Sequence, residues 1–328
     1  MNNSPFIKST NGEHLFALDI FVAALPAIVW SFIVYGLRPV AVVLAAMICG
    51  ALFESIFAAI FKNGAKIFTA ATLGMTVALF MPASVDYVTV PLAVFIAVAL
   101  RRFTGGVINP IAGALLPFFF LCSNMGLHTA AFTKLDALTA SYADKIGELA
   151  VSTPLDVLAK GEIPKIDMLD LFLGNVPGAI GATSAMLLML GGIYLIFRKA
   201  ASWQTSVGFI GGAVVVWFLL FFDGAHYEYA IFHLCAGGVF LGAFLGATEH
   251  SSSPVIPAGR LIHGIGCGAL TMIFRKLGFY AESVLLSMLV MSLFSRIVDM
   301  ITAERYFGYR AKKLGERLES LIPTPNNK

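Results

Sequence analysis

Two adjacent hydroxyls, Thr183 and Ser184, stand where a chain of small and turn-forming residues gives way to an apolar run. Gly174, Pro177, Gly178 and Gly181 lead into Gly181-Ala182-Thr183-Ser184, and AMLLML follows at once with the density of a helix in lipid. A hydroxyl at a helix start caps free backbone N–H groups. Those N–H groups, with the positive end of the helix dipole, also attract an anion. Spacing alone leaves both readings open: a plain cap, or an anchor for a phosphate-bearing group.

Asp19 and Glu54 lie well inside apolar runs, FALDIFVAALP and GALFESIFAAIF. A carboxylate in a bilayer core costs at least about 2.5–3.5 kcal/mol, so each is a candidate for an ion path. For Asp19 the alternative is a place near a helix end, in reach of water or a backbone donor. Asp299 beside Arg296 reads as an interfacial charge. His233 and His263 have no paired-ligand spacing, so no metal site is expected and both read as core histidines. Cys49, Cys122, Cys235 and Cys267 are isolated in or beside apolar runs and read as small buried hydrophobes. Neither a dinucleotide fingerprint, nor a phosphate-binding loop, nor a Ser–His–Asp arrangement is present, and no nucleic-acid partner is expected.

The elements that position these residues follow from composition. With 58% hydrophobic and 12% charged residues and a mean hydropathy of +0.85, the 328-residue chain reads as an all-α polytopic integral membrane protein. The polar start MNNSPFIKSTNGEH lacks the pattern of a cleavable signal peptide. Ten spans are expected, at 15–36, 39–61, 67–82, 88–100, 103–122, 182–197, 204–222, 229–247, 261–274 and 281–301. The spans at 88–100 and 261–274 fall short of the roughly 20 residues of a full crossing, so each is surrounded by protein or partly re-entrant. The chain divides into a first membrane half (1–122), a loop leading to the hydroxyl pair (123–181), a second half (182–303) and a basic tail (304–328).

Threading ten crossings puts fifteen Lys and Arg on the side of the termini and seven on the other. The positive-inside rule then makes both termini cytoplasmic in a cytoplasmic (inner) membrane, and Thr183 external. The external loop carries a net charge of −3, and its SYADKIGELAV stretch suits a short surface helix. The tail stretch RAKKLGERLES reads as a solvated helix or a docking surface. Gly208 and Gly212, Gly238, Gly242 and Gly246, and Gly264 and Gly268 repeat at helical spacing, which suits close helix packing or room for a planar ring. RRFTGGVINPIAG and ATEHSSSPVIPAG interrupt the two halves, in keeping with an inverted-repeat plan.

SPFIKS, LDIFVAALPAIV, DLFLGNVPGAIGATSAMLLMLGGIYLIFRK and FHLCAGGVFLGAFLGATEHSSSPVIPAGRLIHGIGCGALTMIFR together resemble the NqrB/RnfD family, over nearly the whole chain. The RnfD branch is the nearer, since NqrB proteins usually carry a longer N-terminal extension. The resemblance implies a flavin mononucleotide (FMN) joined through its phosphate to Thr183 by an external flavin transferase, with Gly181, Ala182 and Ser184 around it. It also implies membership of an Rnf-type complex with subunits A, B, C, E and G, coupling ferredoxin/NAD electron transfer to Na+ or H+ translocation. A non-covalent riboflavin is a further candidate. Ile180 stands where the attachment pattern prefers Ser or Thr, and no acidic residue accompanies Ala65. The rival reading is a flavin-free permease or channel using the broken spans as a solute path.

Overall fold

The computed structural model describes residues 13–62, 64–82, 85, 87–124, 154–159, 167–176, 178–221, 228–280 and 282–306. The SYADKIGELAV and RAKKLGERLES stretches lie outside them. The described chain is helical, with a single isolated β-bridge, Pro82 to Ala179. Its helices are α1 (Glu13–Tyr35), α2 (Leu37–Phe61), α3 (Ile67–Leu79), α4 (Thr89–Thr104), α5 (Pro110–Asn124), α6 (Pro154–Ala159), α7 (Met168–Leu173), α8 (Ala185–Phe197), α9 (Trp203–Phe221), α10 (Glu228–Cys235), α11 (Val239–Leu241), α12 (Pro257–Lys276) and α13 (Ser283–Tyr306). Among the described residues, four segments are long and apolar enough to cross a membrane: His14–Tyr35, Leu37–Phe61, Trp203–Phe221 and Ser283–Thr302. Ile67–Leu79 and Ala185–Phe197 are shorter apolar helices. This is an all-α, multi-pass membrane protein.

The second helix shows why. Leu44, Ile48, Leu52, Ile56 and Ile60 recur every fourth residue and are each more than half exposed. The opposite face buries Val42, Val43, Ala46, Gly50 and Phe57. Both faces are apolar, so hydropathy does not choose the inner one. Residue size does: a Cβ on Gly50 would stand 2.4 Å from the Ala70 carbonyl, and one on Gly74 2.3 Å from that of Ala46. In lipid, close backbone approach and van der Waals contact replace the hydrophobic effect between helices.

All ten expected spans are helical, with corrections. The span expected at 88–100 extends to Thr104, and the one expected at 261–274 runs from Pro257 to Lys276, 20 residues. The fifth begins at Pro110 rather than 103. Asn109 caps it, its Oδ1 accepting from the Ile111 and Ala112 N–H groups at 3.1 and 3.2 Å. The span expected to be continuous from 229 to 247 is broken. Gly237 (φ 73°) and Gly238 (φ 72°) take the left-handed conformation that suits glycine. Beyond them, α11 passes into a π-helical turn at Gly242–Gly246. Side chains satisfy three carbonyls of that turn: Ser206 donates to Ala243, Thr248 to Phe244 and Asn109 Nδ2 to Gly246.

Helix contacts bring α1 against α8 and α5 against α13, and α9 runs along α12. Helices α9 and α12 run parallel, Gly208 facing Leu261 and Gly212 facing Ile265, whereas α12 and α13 run antiparallel, Arg275 meeting Ser283 and Thr271 meeting Ser287; the bundle has two ends. Arg101, Arg102, Arg198 and Lys199 gather at one, while Arg38, Arg275 and Lys276 belong to the other.

Candidate functional site

The described residues 174–176 and 178–184 lie at the second of these ends and are held from three sides. From α1, Trp30 Nε1 donates to the Gly174 carbonyl at 3.3 Å and Ser31 Oγ to that of Ile180. The Tyr35 hydroxyl donates to the Val176 carbonyl at 3.2 Å and accepts from the Gly178 N–H at 2.9 Å. From the end of α3, the Met81 and Leu79 carbonyls accept from the Ile180 and Gly181 N–H groups at 2.9 and 2.7 Å. A Cβ on Gly181 would stand 2.6 Å from that of Leu79, so only glycine lets these backbones pair. The third side is the break in the eighth span, where a Cβ on Gly238 would meet Ala182 Cβ at 3.5 Å.

Within this frame the two hydroxyls separate. Ser184 takes the extended N-cap conformation (φ −108°, ψ 110°), and its Oγ accepts from the Leu187 N–H at 3.3 Å. It is the cap of α8. Thr183, 1% exposed, has an Oγ1 buried without a hydrogen-bond partner among the described residues. A buried hydroxyl left unpaired costs about 1–3 kcal/mol, so such a group calls for an explanation. A covalent substituent on that oxygen removes the donor and supplies one. The free N–H groups of the first turn of α8 and its positive end suit a phosphodiester.

Asp19 and Glu54 belong to the opposite end, and both are paired. Asp19 Oδ1 accepts from Arg198 Nε at 3.0 Å and from the Tyr194 hydroxyl at 3.2 Å, tying α1 to the end of α8. This carboxylate, by hydrogen bond and charge, holds the Arg198 guanidinium above its usual pKa. Glu54 Oε1 accepts from Arg102 Nη1 at 2.8 Å and from the Lys66 N–H at 3.4 Å. The structure therefore brings neither carboxylate to Thr183, nor the two to each other. Between α1, α3, α4, α8 and the 249–251 turn lies a cavity of about 500 Å³, lined by Asp19, Arg101, Arg198, Lys199, Glu249 and His250 among others.

Several residues that shape these sites escaped the sequence reading. Trp30, Ser31 and Tyr35 look like ordinary span residues, and only their polar tips hint at a role. Asp299 does more than sit at an interface: its carboxylate accepts from the Val255 and Ile256 N–H groups at 3.1 to 3.4 Å, at the start of α12. His233 and His263 are buried, as expected of core histidines, but each Nδ1 lacks a partner among the described residues. Those residues include no group of three or more metal-ligating side chains.

The model of the NQR2, RnfD, RnfE family matches residues 1–308. The chain belongs to this family. It is 30% identical over 318 residues to the D subunit of the Na(+)-translocating ferredoxin:NAD(+) oxidoreductase complex of Acetobacterium woodii, spanning 94% of this chain and 95% of that protein. It is 28% identical to the D subunit of the proton-translocating ferredoxin:NAD(+) oxidoreductase complex of Clostridium ljungdahlii, spanning 94% and 96%. The D subunit of the ion-translocating oxidoreductase complex of Alcanivorax borkumensis is 26% identical, spanning 96% and 98%.

Proposed function

We propose that this family member is the flavoprotein component, RnfD, of an Rnf-type complex, working with subunits A, B, C, E and G in a cytoplasmic membrane. Electron transfer between ferredoxin and NAD would be coupled there to Na+ or H+ translocation. Thr183 would carry FMN through a phosphodiester, with Gly181, Ala182 and Ser184 shaping the attachment loop. The observation that carries this reading is the division of labour between the two hydroxyls: Ser184 caps α8, and Thr183 Oγ1 is buried and unpaired. FMN, when bound, supplies one- and two-electron redox chemistry. The chain holds the loop on three sides, so that the flavin would hang from a fixed point.

Both termini are assigned to the cytoplasm and Thr183 to the external face, where a flavin transferase would reach it, on the strength of the basic residues at the opposite end. The two five-helix halves would then run in opposite senses. Should a non-covalent riboflavin also bind, the 500 Å³ cavity has room for it. The permease reading draws no such support, because side chains occupy the Ala243, Phe244 and Gly246 carbonyls of the broken span. The deciding experiment is in-gel fluorescence of the chain made with its flavin transferase, in wild type and Thr183 variants.

Asp19 and Glu54 are the proposed ion-path carboxylates, each gated by its arginine. In Glu54→Gln, ion transport by the assembled complex is expected to fall further than flavin content. Removing one partner of a buried pair costs about 3–5 kcal/mol, so the double variant Glu54→Gln/Arg102→Met separates the effects. It should regain stability in a thermal melt while transport stays low. Recovery of transport along with stability would assign Glu54 to the fold alone.

A further inference from the structure

Arg275, in the last turn of α12, is completely buried. Its partners are all neutral. Nε donates to Ser283 Oγ at 3.1 Å, Nη1 to the His233 carbonyl, and Nη2 to the Ala236 carbonyl at 3.2 Å. These carbonyls belong to the C-terminal end of α10, at the break in the eighth span. A helix end of this kind offers only about half a negative charge. Arg102 and Arg198 each face a carboxylate; Arg275 has no ion-pair partner among the described residues. Its charge is therefore held in a dry place by neutral groups among the described residues, at a desolvation cost of several kcal/mol that a neutral cap would avoid.

Its location gives that charge something to act on. A Cβ on Gly237 would lie 2.8 Å from Arg275 Nη2, and one on the next residue, Gly238, 3.5 Å from Ala182 Cβ. Two glycines thus separate the guanidinium from the neighbour of Thr183. We infer that Arg275 is an electrostatic positioning residue whose buried charge favours a phosphodiester on Thr183 and the reduced form of the flavin it carries. Each electron accepted from the complex's own donor, unless a proton accompanies it, adds one negative charge beside the attachment loop. In the low-dielectric interior the attraction of a buried cation is weakly screened, so Arg275 raises the flavin's midpoint potential. The inference rests on FMN being attached at Thr183.

The test is a spectroelectrochemical titration of the covalent flavin in the assembled complex, with in-gel fluorescence measuring flavin content in the same preparations. Arg275→Gln is expected to shift the midpoint potential downward, and Arg275→Lys, which keeps the charge but loses the forked hydrogen bonds, to stay near wild type. A residue that merely caps α10 would leave the potential unmoved in both variants, or move both alike, and either result overturns the inference. Should Arg275→Gln fail to accumulate, Ser283→Asp takes its place: it neutralises the guanidinium in situ, 3.1 Å from Nε in the parent. The same downward shift is expected there, and an unchanged potential overturns the inference. A wild-type band without flavin fluorescence would instead sink the flavin reading itself.

Discussion

Membranes containing Thr183→Val are expected to give no fluorescent flavin band on a denaturing gel, and wild type is expected to give one when the flavin transferase is co-expressed. Valine keeps the shape of threonine and loses the oxygen, so the variant removes the attachment atom and little else. Thr183 Oγ1 has no hydrogen bond to lose, and the substitution should leave the melting temperature near that of the unflavinylated parent. Ser184→Ala is the matched control on the next residue. It deletes the bond from the Leu187 N–H and should cost about 1 kcal/mol through the lost cap, yet it should keep the band. The opposite pattern, a band in Thr183→Val and none in Ser184→Ala, would move the attachment to Ser184. A band in both variants would refute either hydroxyl as the anchor.

That contrast also marks where the sequence stops being informative. Thr183 and Ser184 are chemically near-equivalent neighbours, and the sequence marks the junction without ranking them. Ser184 becomes the cap because its own backbone is extended while the next residue is helical, and that geometry is fixed by the grip of α1 and α3 on residues 174–182. Trp30 and Tyr35 reach across more than 140 positions to make that grip, and such pairings leave no local trace. Glu54 and Arg102, 48 positions apart, are hidden for the same reason. Glu54 looks like a lone charge in an apolar run, and Arg102 like one of a basic pair at a helix end, until the fold joins them.

Periodicity fared better where one physical effect dominates. The five-residue outward stripe of α2 is simple lipid exposure, and the small-residue repeats do mark packing faces. One of those repeats misleads. Gly238, Gly242 and Gly246 share a helical spacing, but Gly237 and Gly238 end one helix and start another. Their left-handed backbone suits the space left by Leu155 and Arg275, both within 3 Å of a Cβ built on Gly237. Local sequence could not weigh a break against a face, because the choice depends on what lies opposite.

The opposite case is α9 against α12, where spacing and structure agree and a large effect is expected. A Cβ on Gly264 would stand 2.3 Å from the Thr205 carbonyl oxygen, and one on Gly268 1.9 Å from that of Phe209. The approach is mutual: Gly208 and Gly212 would meet the Leu261 and Ile265 carbonyls at 2.8 and 2.5 Å. The obstacles are backbone atoms of a helix, so no rotamer change can yield. Gly268→Leu must push the two axes apart along their length, and in lipid no hydrophobic effect compensates for lost contact. Overpacking costs about 1–3 kcal/mol where side chains can adjust, and more is expected here, where backbone must move. We therefore expect the detergent-extracted Gly268→Leu chain to lose its monodisperse peak in size-exclusion chromatography, and its accumulation to drop about tenfold or more, the equivalent of about 1.4 kcal/mol. Gly211→Leu is the control on the same helix pair, since a Cβ there meets nothing within 4 Å, and it should accumulate like wild type. Equal accumulation of the two variants would show that α9 and α12 do not interlock through these glycines. The outcome bears on the proposed flavin site as well, because α12 carries Arg275 to the break beside Ala182: a chain that cannot seat α12 cannot place that charge.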